Sequence, residues 1–216
     1  DYEIKSLENK IYNLVKLIGS RFMKPVSHRA GRWGIDLRQI KILKGLGISV
    51  DSSIIPGVDW SSTGILDHSD APLSPYYISA TDLFDVGCKG VLEIPCTIKP
   101  GLKVFGLEKK RYLKSLIQRA NFGSKWLRAS PDCSPELLKD ISTWAAHQSL
   151  PLNLMSHSSE FLPGGSPYWN SAEDITSHFN LYKSLFSFWR SQGMKSVTLS
   201  EFSSNYQSIN SSIKNE

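Results

Sequence analysis

Short apolar runs alternate along this chain with amphipathic helical patterns, and each run hands over to polar residues and a loop. Ile48-Ser49-Val50 ends on Asp51. Val91-Leu92-Glu93-Ile94-Pro95-Cys96 carries a proline at its far end, and Leu152-Asn153-Leu154-Met155 runs through Ser156 to His157. Ile4, Leu7, Ile11, Leu14, Val15, Ile18 and Phe22 recur at helical spacing with Lys and Glu between them, which predicts an amphipathic helix. Gly19 weakens its last turn and Pro25 bars continuation. Asp36 is placed to N-cap a second helix carrying Leu37, Ile40 and Leu43. Further helices are expected around Leu107 to Ala120, from Pro135, and from Ala172 to Gln192, followed by a last strand at Val197-Thr198-Leu199. Such alternation argues for a parallel α/β sheet or barrel, and the elements are too few for a whole eight-fold barrel.

With 216 residues the chain can bury one sizeable core. A domain is expected over residues 1–202, with a loose polar tail over 203–216. No apolar run approaches the roughly 18 residues that span a bilayer, so no integral membrane segment is expected. No secretory signal is visible, and the opening at Asp1, directly into a helical pattern, reads as a fragment or processed product. Localisation stays open between cytoplasm and cell envelope. Cys88, Cys96 and Cys133 have no CxxC spacing and are odd in number, so three free thiols are the simplest reading.

The net charge of +5 is uneven. Lys103, Lys109, Lys110, Arg111, Lys114, Arg119, Lys125 and Arg128 face only Glu108 in their segment, which suits an anionic glycan, a phosphate or a membrane surface, or is simply the solvated face of a helix. No motif supports nucleic-acid binding. The segment from Ser52 to about Ala80 is dense in Pro, Gly, Ser and Asp, and a loop of that length normally shapes a site.

His157 sits where an α/β protein holds side chains for chemistry, at a strand end above a Ser-, Gly- and Pro-rich loop, though a histidine that merely closes a strand would look the same. Asp51 reads either as a site carboxylate or as an Asx-turn residue. His28, His147 and His178 read as structural or solvated and His68 as an exposed loop residue, and no two histidines stand three or four residues apart.

Three segments in order resemble motifs of the NodB-homology polysaccharide deacetylases, carbohydrate esterase family 4, in its WalW-like branch. Arg29-Ala30-Gly31-Arg32-Trp33-Gly34 resembles the third motif, Asp51-Ser52-Ser53 the start of the fourth, and Met155-Ser156-His157, with Ser158-Ser159-Glu160 and Pro163-Gly164-Gly165-Ser166-Pro167-Tyr168, the fifth. The third motif lacks its proline, and position 55 is Ile55 where the fourth has tryptophan, leaving Trp60 as the candidate. The resemblance implies the C-terminal portion of a partial, distorted (β/α)7 barrel, N-terminally truncated. It further implies a hydrolase that removes N-acetyl or O-acetyl groups from a glycan, with a non-catalytic glycan-binding protein as the alternative. His157 would protonate the departing amine and Arg29 would orient a catalytic aspartate. Trp33, Asp51, Trp60, Met155 and Glu160 would bind substrate. A divalent metal, zinc, is expected in the complete family member, but the two motifs that ligate it are not found in this chain. The partner implied is an N-acetylated or anionic polysaccharide.

Overall fold

The computed structural model describes residues 2–101 and 123–213, with side chains over 3–101 and 123–207. The fold is mixed α/β, with a five-stranded mixed sheet, a two-stranded sheet and five helices among the described residues. No closed barrel forms among the described strands. The chain divides into two compact units: unit 1 holds Asp1–Pro95 and Ser196–Glu216, and unit 2 holds Cys96–Lys195.

Unit 1 opens with α1 (Tyr2–Arg21), as the apolar spacing predicts. Strand β1 (Ser27–His28) follows Pro25. Helix α2 (Leu37–Gly45) starts at Asp36, whose carboxylate accepts from the Gln39 N–H while the Gln39 side chain returns to the Asp36 N–H. That reciprocal box satisfies two donors left open at a helix start, and it fixes where the chain turns back toward the sheet. β2 (Val50–Asp51), β3 (Tyr76–Ile78), β4 (Val86–Gly87) and β5 (Leu92–Glu93) complete the sheet, in the order β1-β2-β5-β3-β4. β1, β2 and β5 run parallel, while β3 is antiparallel to β5 and β4.

The last element of unit 1 corrects two expectations. No strand forms at Val197-Thr198-Leu199, and the polar stretch beyond it is not loose: Leu199–Ile213 is helix α5. Leu199, Phe202 and Tyr206 pack on Val50, Leu92 and Ile94, which are almost wholly enclosed. Burying each of those three strand side chains stabilises the unit by about 2 kcal/mol, enough to order a helix whose Ser and Asn residues favour it poorly. The Tyr206 hydroxyl also donates to the Pro75 carbonyl at 2.8 Å.

In unit 2, β6 (Ile98–Lys99) pairs antiparallel with β7 (Lys125–Trp126). Helix α3 (Pro135–His147) is N-capped by Ser134 with proline in its first turn. Helix α4 (Ala172–Ser191) is capped by Ser171. Leu138 and Ile141 of α3 and Leu185 of α4 enclose a core with Leu127. The strand expected to end on His157 does not form, and residues 151–157 are irregular. Asn153 exchanges bonds with Thr97, and the Met155 N–H reaches the Leu127 carbonyl at 3.3 Å. Ser158–Phe161 then turns through one 3₁₀ turn. The helix expected over Leu107 to Ala120, and most of the basic segment, lie outside the described residues. No described helix is long and apolar enough to cross a membrane.

Candidate functional site

The register of the three parallel strands places His28 opposite Asp51 and Asp51 opposite Glu93. Paired residues of neighbouring strands project to the same face of a sheet, so three titratable side chains form one row at the C-terminal strand ends of unit 1. This is the edge at which open α/β sheets hold their chemistry. His28 Nδ1 lies 2.6 Å from Asp51 Oδ1. Asp51 is fully enclosed, and its carboxylate also accepts from the Ser53 hydroxyl and N–H, each at 3.0 Å. The contact is a hydrogen bond between the ring nitrogen and the carboxyl oxygen.

Glu93 is enclosed beside Asp51. Its Oε1 accepts from the Ile54 N–H at 3.0 Å, whereas Oε2 meets no N–H or hydroxyl donor among the described residues. Two carboxylates at this spacing repel unless one keeps a proton. Burial, then the charge of Asp51 and a hydrogen bond to it, raise the Glu93 pKa well above the usual carboxylate range. Glu93 is therefore the carboxyl that keeps a proton. The row continues into β3, where Tyr76 stands opposite Glu93. Its phenol donates to the Leu83 carbonyl at 2.9 Å and is pushed upward by burial first and then by the Glu93 and Asp51 charges.

Arg29 follows His28 directly. Its Nε donates to the Ser52 carbonyl at 2.9 Å and its Nη2 to the Ser52 hydroxyl at 2.8 Å. The Ala30 N–H donates to the Ser53 hydroxyl at 2.8 Å. The segments after β1 and β2 are thus zipped together one residue beyond the row. Arg29 also stands 5.8 Å from the half-buried Trp33 ring, in cation–π contact. Arg32 and Trp33 both adopt left-handed backbone angles, φ +53° and +61°. Non-glycine residues persist there only where the surroundings enforce it, and such strain concentrates at functional turns. Asp51 makes the Asx turn to Ser53 and stands at the centre of the row. Trp60 is half-buried in the long loop after β2.

His28 is not solvated alone: it is half-buried and bonded to Asp51. One histidine departs from expectation. His68 is not an exposed loop residue: it is fully enclosed, accepts from the Ile55 N–H at 3.3 Å through Nδ1, and meets the Phe84 ring edge-on. Burial lowers its pKa, against a smaller opposing effect of Asp67. Glu93 also escaped sequence reasoning. A carboxylate between Leu92 and Ile94 in a strand-like run was the available signal, because such a residue must be enclosed together with a partner.

In unit 2 His157 is exposed. Met155, two residues earlier, is buried. Glu160 is neither solvated nor turned to the His157 ring. Its carboxylate is enclosed and takes bonds from the Arg128 guanidinium, the Ser156 hydroxyl and the His157 N–H. Burial alone would raise the Glu160 pKa, but the Arg128 hydrogen bond, the His157 N–H and the Arg128 charge together lower it. Glu160 holds the main chain at His157. Gly165 completes that loop, since a Cβ there would come within 2.5 Å of the Ser159 carbonyl. His178 is also enclosed, its ring centroid 4.3 Å from that of Trp169 and 4.9 Å from those of Phe161 and Tyr182.

The described residues do not fit a divalent metal, because no three His, Cys, Asp or Glu side chains among them converge on a common point. Compared with known proteins, the chain matches no protein-family model and no curated protein.

Proposed function

We propose that the chain is a glycan-directed hydrolase domain of the polysaccharide-deacetylase type. It takes an N-acetylated or anionic polysaccharide at the C-terminal strand ends of unit 1 and removes acetyl groups from it. The observation that carries this reading is the lock between the two segments that resemble the third and fourth motifs. They lie 23 residues apart, yet Arg29 grips Ser52 and Ala30 grips Ser53 on adjacent parallel strands. In this reading β1, β2 and β5 are a stretch of the partial, distorted (β/α)7 barrel, and Trp33 and Trp60 stack on sugar rings. The resemblance also names Met155 for an acetyl pocket and His157 as proton donor; within unit 2 Met155 is buried and His157 exposed.

A second reading, non-catalytic glycan binding, is favoured by the enclosure of Asp51 and Glu93 and by the absence of a three-ligand group among the described residues. The test is acetate release from an N-acetylglucosamine oligomer, with and without added zinc, beside calorimetric binding of the same oligomer. Release supports the hydrolase. Binding without release supports the second reading, and neither binding nor release overturns both.

A further inference from the structure

A small cavity of unit 1 lies where β5 begins, whereas the titratable row stands where β5 ends. It opens between α2 and the turn from β4 to β5, with a volume of about 100 Å³. Ile40, Ile78 and Val91 form its floor, and all three belong to the enclosed core. The Ile78 N–H donates to the Val91 carbonyl at 3.0 Å, so that floor is a bonded part of the sheet.

Three lysines line the cavity above that floor. Lys41 and Lys44 stand one turn apart on α2, and Lys89 comes from the β4–β5 turn. No carboxylate lines the cavity, and none of the three ammonium groups has an ion-pair partner among the described residues. A cation in the last turn of α2 favours the helix end, which accounts for Lys44 alone. Lys41 sits earlier on the helix, and Lys89 belongs to another segment. Gly90 leaves room for this arrangement. Its φ of +133° is a conformation that side chains rarely adopt, and a Cβ there would stand 4.0 Å from Lys44 Nζ. The Lys44 ammonium thus lies over the bare Gly90 main chain.

We propose that this cavity binds a phosphate group. Three positive charges gathered without a counter-charge repel one another, and an anion seated among them removes that repulsion. A phosphate monoester carries a charge of about −1.5 to −2 at pH 7 and so offsets more of it than a carboxylate does. Lysines hold phosphate as point charges from several sides, whereas the planar fork of arginine suits a carboxylate, and no arginine lines the cavity. Pockets that enclose a drug-sized molecule run from about 300 to about 1,000 Å³. This one is smaller and fits a single compact group. The phosphate is either free or the ester of a small organic molecule whose carbon part covers the apolar floor. The site is independent of the glycan reading, because it uses none of the residues that reading names.

The test is calorimetric titration of the whole chain at low ionic strength with inorganic phosphate and with glycerol 3-phosphate, beside acetate as a singly charged comparison. Lys41→Gln, Lys44→Gln, Lys89→Gln and the triple variant are checked for folding by circular dichroism. All three lysines are exposed, so the core keeps its packing. Lys183→Gln, exposed on α4 in unit 2, is the control. Phosphate is expected to fill one site more tightly than acetate. Each single variant should weaken it about two- to fivefold and the triple variant more than about 10-fold, with the control unchanged. Tighter binding of glycerol 3-phosphate than of inorganic phosphate assigns the ester, and equal or weaker binding assigns free phosphate. Binding of neither phosphate, acetate bound as tightly as phosphate, or undiminished binding by the triple variant overturns the proposal. Should the triple variant misfold, acetylation of the wild-type lysines, mapped by mass spectrometry, takes its place. Phosphate should then protect Lys41, Lys44 and Lys89 and leave Lys183 reactive, and equal reactivity with and without phosphate overturns the proposal.

Discussion

Glu93→Gln separates the shared proton from every other feature of unit 1. The amide keeps an acceptor for the Ile54 N–H, 3.0 Å away in the wild type, and turns a permanent donor toward Asp51. In the wild type the same contact requires Glu93 to stay protonated in the fold, although it ionises near 4.5 when unfolded. Between that value and the raised folded value, the native state binds one more proton than the unfolded chain. Stability at this position is therefore fully present below the unfolded pKa and is lost as pH rises toward the folded one. The slope is about 1.4 kcal/mol for each pH unit within that window. Urea unfolding of wild type and Glu93→Gln at several values from about pH 5 to about pH 8, followed by circular dichroism, gives the difference directly. Groups common to both proteins cancel in it. The variant is expected to gain on the wild type steadily with rising pH. Parallel pH dependences would refute the reasoning, because they would mean that Glu93 is ionised in the fold.

Three other substitutions probe separate parts of the structure. Burial depresses His68 below its ordinary 6.5, so its contribution is present above that value and lost as pH falls through the folded pKa. His68→Leu should remove this acid sensitivity yet cost about 1–3 kcal/mol at neutral pH, since the Ile55 N–H loses its acceptor; urea unfolding at two pH values measures both effects. Glu160→Ala leaves the largely enclosed Arg128 unpaired and should cost about 3 kcal/mol in thermal unfolding. It should also speed amide exchange at His157, whose N–H the Glu160 carboxylate holds at 3.3 Å. Arg32→Gly relieves a left-handed backbone, φ +53°, and should stabilise unit 1 by about 1 kcal/mol in the same unfolding experiment.

The elements legible in the sequence were those with local signals. Periodicity and capping residues gave α1, α2 with Asp36, α3 with Pro135, and α4 close to their observed bounds. Helix α5 was masked by its Ser- and Asn-rich composition, although Leu199, Phe202 and Tyr206 already stand at helical spacing. The site was legible only in part. Asp51 and Arg29 were singled out as residues, but the row that gives Asp51 its partners is a property of strand register. It joins His28 to a residue 23 positions away and Ile54 to one 39 positions away, and no local pattern encodes such a pairing. Glu160 was singled out as a residue, but its partner Arg128 lies 32 positions earlier and no local pattern shows that pairing. His68 was taken for a loop residue because its loop is polar, whereas the loop carries it inward against Phe84.

The central claim is that His28 is held at the strand ends of unit 1 by the enclosed Asp51, with its hydrogen on Nδ1. Nitrogen-15 NMR of the histidine side chains reads that arrangement without a substrate. The account predicts that neutral His28 is in the Nδ1–H tautomer, with a strongly downfield ring proton that Asp51→Asn abolishes or shifts, while exposed His147 shows no such proton. An Nε2–H tautomer for His28, or a ring indistinguishable from that of His147, would contradict it.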